Sequence, residues 1–326
     1  MRIKTLSVDP PVWMAPMAGI TDSPFRRLVR MLGCPAVVTE MISSEGLIRR
    51  GKGSMKLLEF TPDEHPISAQ IFGANPEVMA EAARIVAGRG FDAVDINMGC
   101  PVKKVVRSGS GAALMKDPLT AAKIVSAVRR AVSLPVTVKI RSGWNSESQN
   151  AMEMAKALVD AGADMITLHP RTRTQFYSGK ANWDLIGALV ENLPVPVIGN
   201  GDIKTPADAN RMMDISGCAG VMVARAAMGD PFLPGALAGR PYPPSPKKRY
   251  ETFCTHLDLV IGWLGSEHRA VLCMRKHLAW YVRGMPGAGR LRRTLDSFDN
   301  AADMKTALER IALNCDSQDG EGKNES

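Results

Sequence analysis

No stretch of the 326 residues is apolar over the roughly 18 positions that a membrane-crossing helix needs, so no transmembrane segment is expected. The six cysteines form neither a CxxC pair nor a regular spacing, and Met1-Arg2-Ile3-Lys4-Thr5 lacks the continuous apolar stretch of a secretory signal. Both absences favour a reducing cytoplasm, with no disulfide framework and no metal centre. Acidic residues are the scarcer charge: 33 Asp and Glu stand against 41 Lys and Arg, a formal net charge of +8. That excess suits a polyanionic partner, because Lys and Arg supply the sequence-independent part of nucleic-acid affinity, but charge alone selects none. Nothing calls for an obligate protein partner.

What is present is globular, with 45% hydrophobic and 23% charged residues. The length suits a barrel of about 250 residues plus one small module. Apolar runs of strand length recur at residues 12–14, 36–38, 67–71, 93–96, 136–140, 165–168, 195–198 and 220–223. Helical patterns separate most of them; Ala121, Ile124, Val125, Val128 and Val132 form one apolar stripe. Ser23-Pro24, Asn75-Pro76, Asp117-Pro118 and Thr205-Pro206 each pair a capping residue with proline at the first helical position. Strands that are apolar throughout rather than alternating predict an α/β fold, a closed (β/α)8 TIM barrel over residues 1–238, and not an open doubly wound sheet.

Such barrels carry their chemistry at the carboxyl ends of the strands. Ala15-Pro16-Met17-Ala18-Gly19 follows the first run, Glu40 the second, Gln70 closes the third, and Asn97 with Cys100 follows the fourth. Lys139 ends the fifth, His169 and Arg171 follow the sixth, Asn200-Gly201-Asp202 the seventh, and Ala224-Arg225 the eighth. One Lys or His at a strand end is commonly structural; convergence of all of them on one rim predicts a site. At its centre is Asp95-Ile96-Asn97-Met98-Gly99-Cys100-Pro101, where a strand fixes the root of Cys100 and Pro101 fixes the backbone just after it. Free cysteine is also a compact core filler, and this segment alone leaves both roles open.

Gly199-Asn200-Gly201 lets backbone amides approach an anion and Arg225 adds a planar cation, which together suit a phosphate. In this fold phosphate commonly binds after strands seven and eight. An ordinary glycine turn beside a surface arginine is the alternative. Residues 46–52 have P-loop spacing, but Gly53 stands where the metal-binding Ser or Thr belongs, and Gly109-Ser110-Gly111 follows no clear strand.

Five segments in combination resemble the signatures of the tRNA-dihydrouridine synthase family, most closely its bacterial B type. They are Ala15-Pro16-Met17-Ala18-Gly19-Ile20-Thr21-Asp22, Ser68-Ala69-Gln70-Ile71-Phe72-Gly73, residues 95–104, Thr137-Val138-Lys139-Ile140-Arg141 and Gly199-Asn200-Gly201-Asp202. The resemblance implies an FMN-containing barrel with a helical C-terminal domain. Its implied reaction is reduction of the C5–C6 double bond of uridine in the tRNA D-loop, with NADPH as reductant and NADH as the alternative. By the same resemblance Pro16, Met17 and Ala18 line the flavin ring, Gln70 and Lys139 bond its polar edge, and His169 borders it. Asn200, Gly201, Asp202, Ala224 and Arg225 take the ribityl phosphate end. Hydride passes from reduced FMN to uracil C6 and Cys100 gives a proton to C5, while Asn97 orients the uracil and Arg171 contacts the substrate nucleotide. The chemistry of the residues agrees. An ammonium near a reduced flavin stabilises its negative charge, and an unperturbed thiol with a pKa of about 8.5 is protonated near pH 7. Two positions depart from the pattern: Pro170 stands where glycine is usual between His169 and Arg171, and Ala224 replaces the glycine before Arg225. Cys34, Cys218, Cys254, Cys273 and Cys315 are read as core packing.

After Pro231 the strand rhythm stops. Residues 239–248 read as a proline-rich linker, 249–315 as a helical tRNA-binding domain with helices over 250–264, 267–283 and 299–314, and 316–326 as a disordered tail. Between Arg269 and Arg293 lie seven Lys or Arg and no Asp or Glu, interleaved with His277, Trp280 and Tyr281. A solvated basic face is the plain reading. Beside a flavin barrel the run instead predicts an RNA track, with Arg275, Lys276, Arg283, Arg292 and Arg293 on phosphates and an exposed aromatic stacking on a base. Lys103, Lys104 and Arg107 extend it to the rim. The alternatives are an FMN barrel reductase of a free pyrimidine or an enone, which the basic module disfavours, and a non-catalytic tRNA-binding barrel, which Asn97, Cys100 and Lys139 disfavour.

Overall fold

The computed structural model describes residues 1–321, with backbone alone over 313–321; residues 322–326 and the side chain of Cys315 lie outside the described residues. The chain opens with an antiparallel hairpin of β1 (Arg2–Ile3) and β2 (Leu6–Ser7). Ile3, Leu6 and Val8 pack against Trp13, Ala36, Ala93, Met165 and Ile198, near the strand beginnings, and Lys4 pairs with Asp164 at 2.8 Å. The hairpin thus plugs the amino end of the barrel and leaves the carboxyl end open.

The strands that follow are β3 (Val12–Met14), β4 (Ala36–Val38), β5 (Ile42–Ser43), β6 (Ile67–Phe72), β7 (Ala93–Met98), β8 (Val136–Gly143), β9 (Met165–Thr172), β10 (Val197–Asn200) and β11 (Gly220–Val223). Every pairing among them is parallel; β11 returns to β3 and β4 pairs with β6, closing eight strands into a (β/α)8 barrel with β5 a short addition beside β6. The helices α1 (Ser23–Met31), α2 (Ser44–Ile48), α3 (Lys52–Leu57), α4 (Pro76–Ala87), α5 (Lys103–Arg107), α6 (Pro118–Ala131), α7 (Ala151–Asp160), α8 (Trp183–Asn192), α9 (Pro206–Ser216) and α10 (Leu233–Leu237) alternate with the strands. On α6 the expected stripe of Ala121, Ile124, Val125 and Val128 is buried against the barrel.

Local chemistry sets the boundaries. Asn75, Asp117 and Thr205 cap their helices as their spacing predicts. The cap of α1 is Asp22 and not Ser23: extended backbone at Asp22 lets its carboxylate accept from Phe25 N at 3.0 Å, which places Ser23 inside the helix. The seventh strand begins at Val197, later than residue 195, because Pro194 and Pro196 have no N–H for the ladder. β8 and β9 run past their expected ends as a two-stranded extension above the rim. Register slips there between the Arg141–His169 and Gly143–Thr172 pairs, the stretch in which Pro170 has no donor to offer.

The remaining helices are α11 (Pro246–Leu264), α12 (Glu267–Tyr281), α13 (Ala288–Arg293) and α14 (Ala301–Glu321), gathered on their own core of Phe253, Leu257, Met274, Leu278 and Leu308. Ser245 caps α11, so this helix begins inside the stretch read as linker. α14 continues through residues 316–321, which were expected to be disordered. The helical unit sits on the barrel through α1, where Phe25 meets the rings of His256 and His277 at 5.6 and 6.2 Å. Among the described residues no helix is long and apolar enough to cross a membrane.

Candidate active site

A cleft of about 750 Å3 opens at the carboxyl rim, within the range usual for small-molecule sites. It gathers Cys100, Asn97, Arg171 and Arg283 with every residue expected to hold a cofactor: Pro16, Met17, Ala18, Gln70, Lys139, His169, Asn200, Gly201, Asp202, Ala224 and Arg225. Eight strand ends far apart in sequence meet here because barrel closure points them all the same way.

Cys100 lies two residues beyond β7, at the lip. Asn97 Oδ1 accepts from the amides of Gly99 and Cys100 at 3.1 and 2.9 Å, and Ala112 N donates to the Cys100 carbonyl at 3.0 Å. Gly111, at φ +59°, lies against this turn, where a Cβ would stand 2.9 Å from the Cys100 carbonyl oxygen. The thiol is half-buried. Burial pushes its pKa up against the pull of the Val102 amide, Arg141 and Lys139, so it is protonated at neutral pH.

On the adjacent strand, Lys139 Nζ donates to Asn200 Oδ1 at 2.8 Å, and Asn200 Nδ2 donates to the Met222 carbonyl at 2.7 Å. Burial, helped by the neighbouring Arg141, brings the Lys139 pKa down to about 7. His169 is held neutral by burial and by Lys139, Arg141, Arg171 and Arg225 around it. Gly201, at φ +119°, passes so close to that imidazole that a Cβ would stand 2.9 Å from His169 Cδ2. Arg225 lies over the Tyr177 ring at 4.2 Å and has no carboxylate partner among the described residues. Ala224 takes φ −126° and ψ −108°, so its replacement of glycine does not place a side chain at positive φ.

The residues expected to touch substrate divide. Arg171 is 2% exposed and spoken for: its Nη2 reaches both Asp202 oxygens at 2.8 Å and its Nε donates to the Ser178 carbonyl at 3.1 Å. Burial opposes ionisation of Asp202, yet the Ala181 amide and Arg171 hold its carboxyl below the usual range. Asn97 turns its donor to Gln70 and its acceptor to the Cys100 turn. Arg283 lines the cleft, whereas Lys103 on α5 and Arg292 and Arg293 on α13 are exposed away from it. Arg275 donates to the Phe298 carbonyl at 2.8 Å beside Asp296 and Asp299, and Lys276 donates to Gly19 O.

The expected exposed aromatic is absent from α12. His277 and Tyr281 are buried and Trp280 half-buried, because their spacing puts them on the face that carries Met274 and Leu278 inward. Cys34 and Cys218 are buried and Cys254 half-buried, but Cys273 is exposed on the same helix, contrary to the core-packing expectation. Two cleft residues lacked an expected role. Arg141 donates to the carbonyls of Gly99, Thr172 and Phe176 at 2.7, 2.9 and 2.9 Å, bracing the Cys100 turn against the following loop. Its alternation with Lys139 along one strand was the available signal. Tyr177 gave none, since only the fold carries that loop over Arg225.

A closed (β/α)8 barrel that gathers a protonated thiol, an enclosed amine and an unpaired guanidinium around one rim cleft defines the class of barrel enzymes. Residues 13–316 match the family model described as dihydrouridine synthase. The chain belongs to that family, and is therefore an oxidoreductase. A probable tRNA-dihydrouridine synthase of Rhodobacter capsulatus is 41% identical over 321 residues, covering 94% of this chain and 98% of that one. The probable synthase of Rickettsia prowazekii is 40% identical, over 91% and 92% of the two chains. The tRNA-dihydrouridine synthase B of Xanthomonas axonopodis pv. citri is 37% identical over 95% of each. Among solved structures, 2-naphthoyl-CoA reductase superposes with a TM-score of 0.60 at 13% identity over 74% of this chain, and histamine dehydrogenase from Rhizobium sp. 4-9 with 0.55 at 16% over 79%. This chain spans about half the length of those two proteins (52% and 50%), and the likeness is one of fold.

Proposed function

We propose that this protein is a cytoplasmic tRNA-dihydrouridine synthase that holds FMN in the rim cleft, draws on NADPH, with NADH as the alternative, and saturates the C5–C6 bond of a D-loop uridine. In this reading residues 1–238 are the catalytic barrel and 249–315 the tRNA-binding helical domain. The residues present suit FMN. Pro16, Met17 and Ala18 offer an apolar wall, Lys139 and Gln70 a polar edge, and the unpaired Arg225 beside Gly201 a place for phosphate. Bound there, FMN would supply the hydride to uracil C6. The protein's part is to orient and protonate: the Cys100 thiol gives its proton to C5, and the Lys139 cation favours negative charge at the cofactor edge.

The observation that carries this reading is a protonated thiol at the cleft lip and an enclosed lysine on the adjacent strand, both lining one cleft. Purified protein is expected to be yellow with stoichiometric FMN and to form dihydrouridine in tRNA transcripts when NADPH is added. A colourless preparation that binds no flavin would end the proposal.

A further inference from the structure

A polar layer lies beneath the cleft, at a level where barrels of this class stack bulky aliphatic side chains. Gln70 on β6, Asp95 on β7 and Thr137 on β8 are register partners, and all three are buried. Asp95 Oδ1 accepts from Thr137 Oγ1 at 2.5 Å, and its Oδ2 accepts from Gln70 Nε2 at 2.7 Å. Gln70 Oε1 accepts from Asn97 Nδ2 at 2.7 Å, and Asn97 Oδ1 receives the Cys100 amide at 2.9 Å. Four side chains thus connect the barrel interior to the reactive turn.

The direction of this chain is fixed from both ends, by Asp95 within the barrel and by the Gly99 and Cys100 amides at the turn. A primary amide fills the same volume in either flipped orientation, so shape fixes neither Gln70 nor Asn97. An ionised carboxylate only accepts. Against Asp95, Gln70 turns its NH2 inward and its oxygen toward Asn97; Asn97 then presents NH2 to Gln70 and oxygen to the Cys100 amide. With either amide reversed, donor meets donor inside the protein at the cost of an unsatisfied buried group. Asp95 itself does not line the cleft.

We propose that Asp95 is a positioning residue that anchors the inner end of this hydrogen-bond chain and, through Gln70 and Asn97, holds the Cys100 turn and the Gln70 edge in orientation for catalysis. The catalytic consequence rests on the reading of Cys100 as proton donor; the orienting itself is a property of the protein alone. Asp95→Leu removes the acceptor outright and leaves the Gln70 NH2 without a partner, whereas Asp95→Asn keeps one oxygen for Gln70.

The test is amide hydrogen exchange at Cys100 in the full-length protein as purified, without RNA. Protection there is expected to fall about fivefold to tenfold in Asp95→Leu and by less in Asp95→Asn, while the β7–β8 ladder amides keep theirs. Turnover on tRNA is expected to lose about tenfold in kcat with KM for tRNA unchanged. Gln70→Leu, which cuts the chain above an intact Asp95, exposes the same amide and replaces the Asp95→Leu measurement if that variant does not fold. Unchanged Cys100 protection in any folded variant overturns the proposal, and lost protection with unchanged kcat overturns its catalytic half. Wild-type protein that makes no dihydrouridine would instead count against the proposed function, leaving the exchange result standing.

Discussion

Lys276 on α12 donates to the carbonyl of Gly19 at 2.5 Å, tying the helical unit to the loop that forms the apolar wall of the cleft. Gly19 N in turn donates to Glu40, so both sides of this glycine are held from different parts of the molecule. Lys276→Ala is expected to weaken FMN affinity about fivefold, the worth of one net hydrogen bond of about 1 kcal/mol, and to change tRNA affinity less than Arg283→Ala does. Flavin fluorescence titration and tRNA binding measured in parallel check this.

Cys100→Ala should keep the fold and the flavin and lose most dihydrouridine formation, since it removes the proposed proton donor. Because burial raises the thiol pKa above its ordinary value, alkylation of Cys100 by iodoacetamide is expected to be slow at pH 8 and still climbing at pH 9. A rate already level at pH 8 would mean a thiolate and a different role. Peptide mapping separates Cys100 from the exposed Cys273.

Asp95 also makes a stability prediction. Burial raises its pKa from 3.8 to about 6, so between those values the native state holds a proton that the unfolded chain releases. Wild-type stability therefore falls as pH rises through that window, by a total of about 3 kcal/mol. Asp95→Asn has no such titration and loses about 1–2 kcal/mol of hydrogen bonding. Thermal melts are expected to show the variant less stable than wild type near pH 4 and as stable or more so near pH 7. A gap independent of pH would place the ionised carboxylate outside the barrel interior.

Arg283, Arg292 and Arg293 are exposed, while Arg275 and Lys276 already have partners within the protein. Neutralising the first three should lower the slope of log affinity for tRNA against log salt by about two to three. Arg275→Ala should chiefly lower the melting temperature. If the slope stays where it was, tRNA docks elsewhere.

Much of the site was legible because each side chain is anchored to a strand end whose apolar run and flanking glycine or proline mark it locally. Cys100, Lys139, Asn200 and Arg225 follow from that periodicity, and the helix caps at Asn75, Asp117 and Thr205 follow from short-range hydrogen bonding. The helical unit was harder to read. His277 and Tyr281 share with the basic residues a helix whose inward and outward faces differ by rotation alone, and a run of cations does not say which way each one points.

By itself the sequence determined the eight strand–helix units, the barrel they close into and the chemical types gathered at its carboxyl rim, because these depend on patterns within a few residues of one another. Tertiary structure decided which of those groups are still unpaired. Arg171 closes on Asp202, Lys276 on Gly19 and Asn97 on Gln70, while Arg225 faces the cleft with no carboxylate partner among the described residues. Whether a polar side chain is spent inside the protein or available to a ligand depends on partners tens to hundreds of residues away. Only chain closure brings those partners within hydrogen-bonding distance.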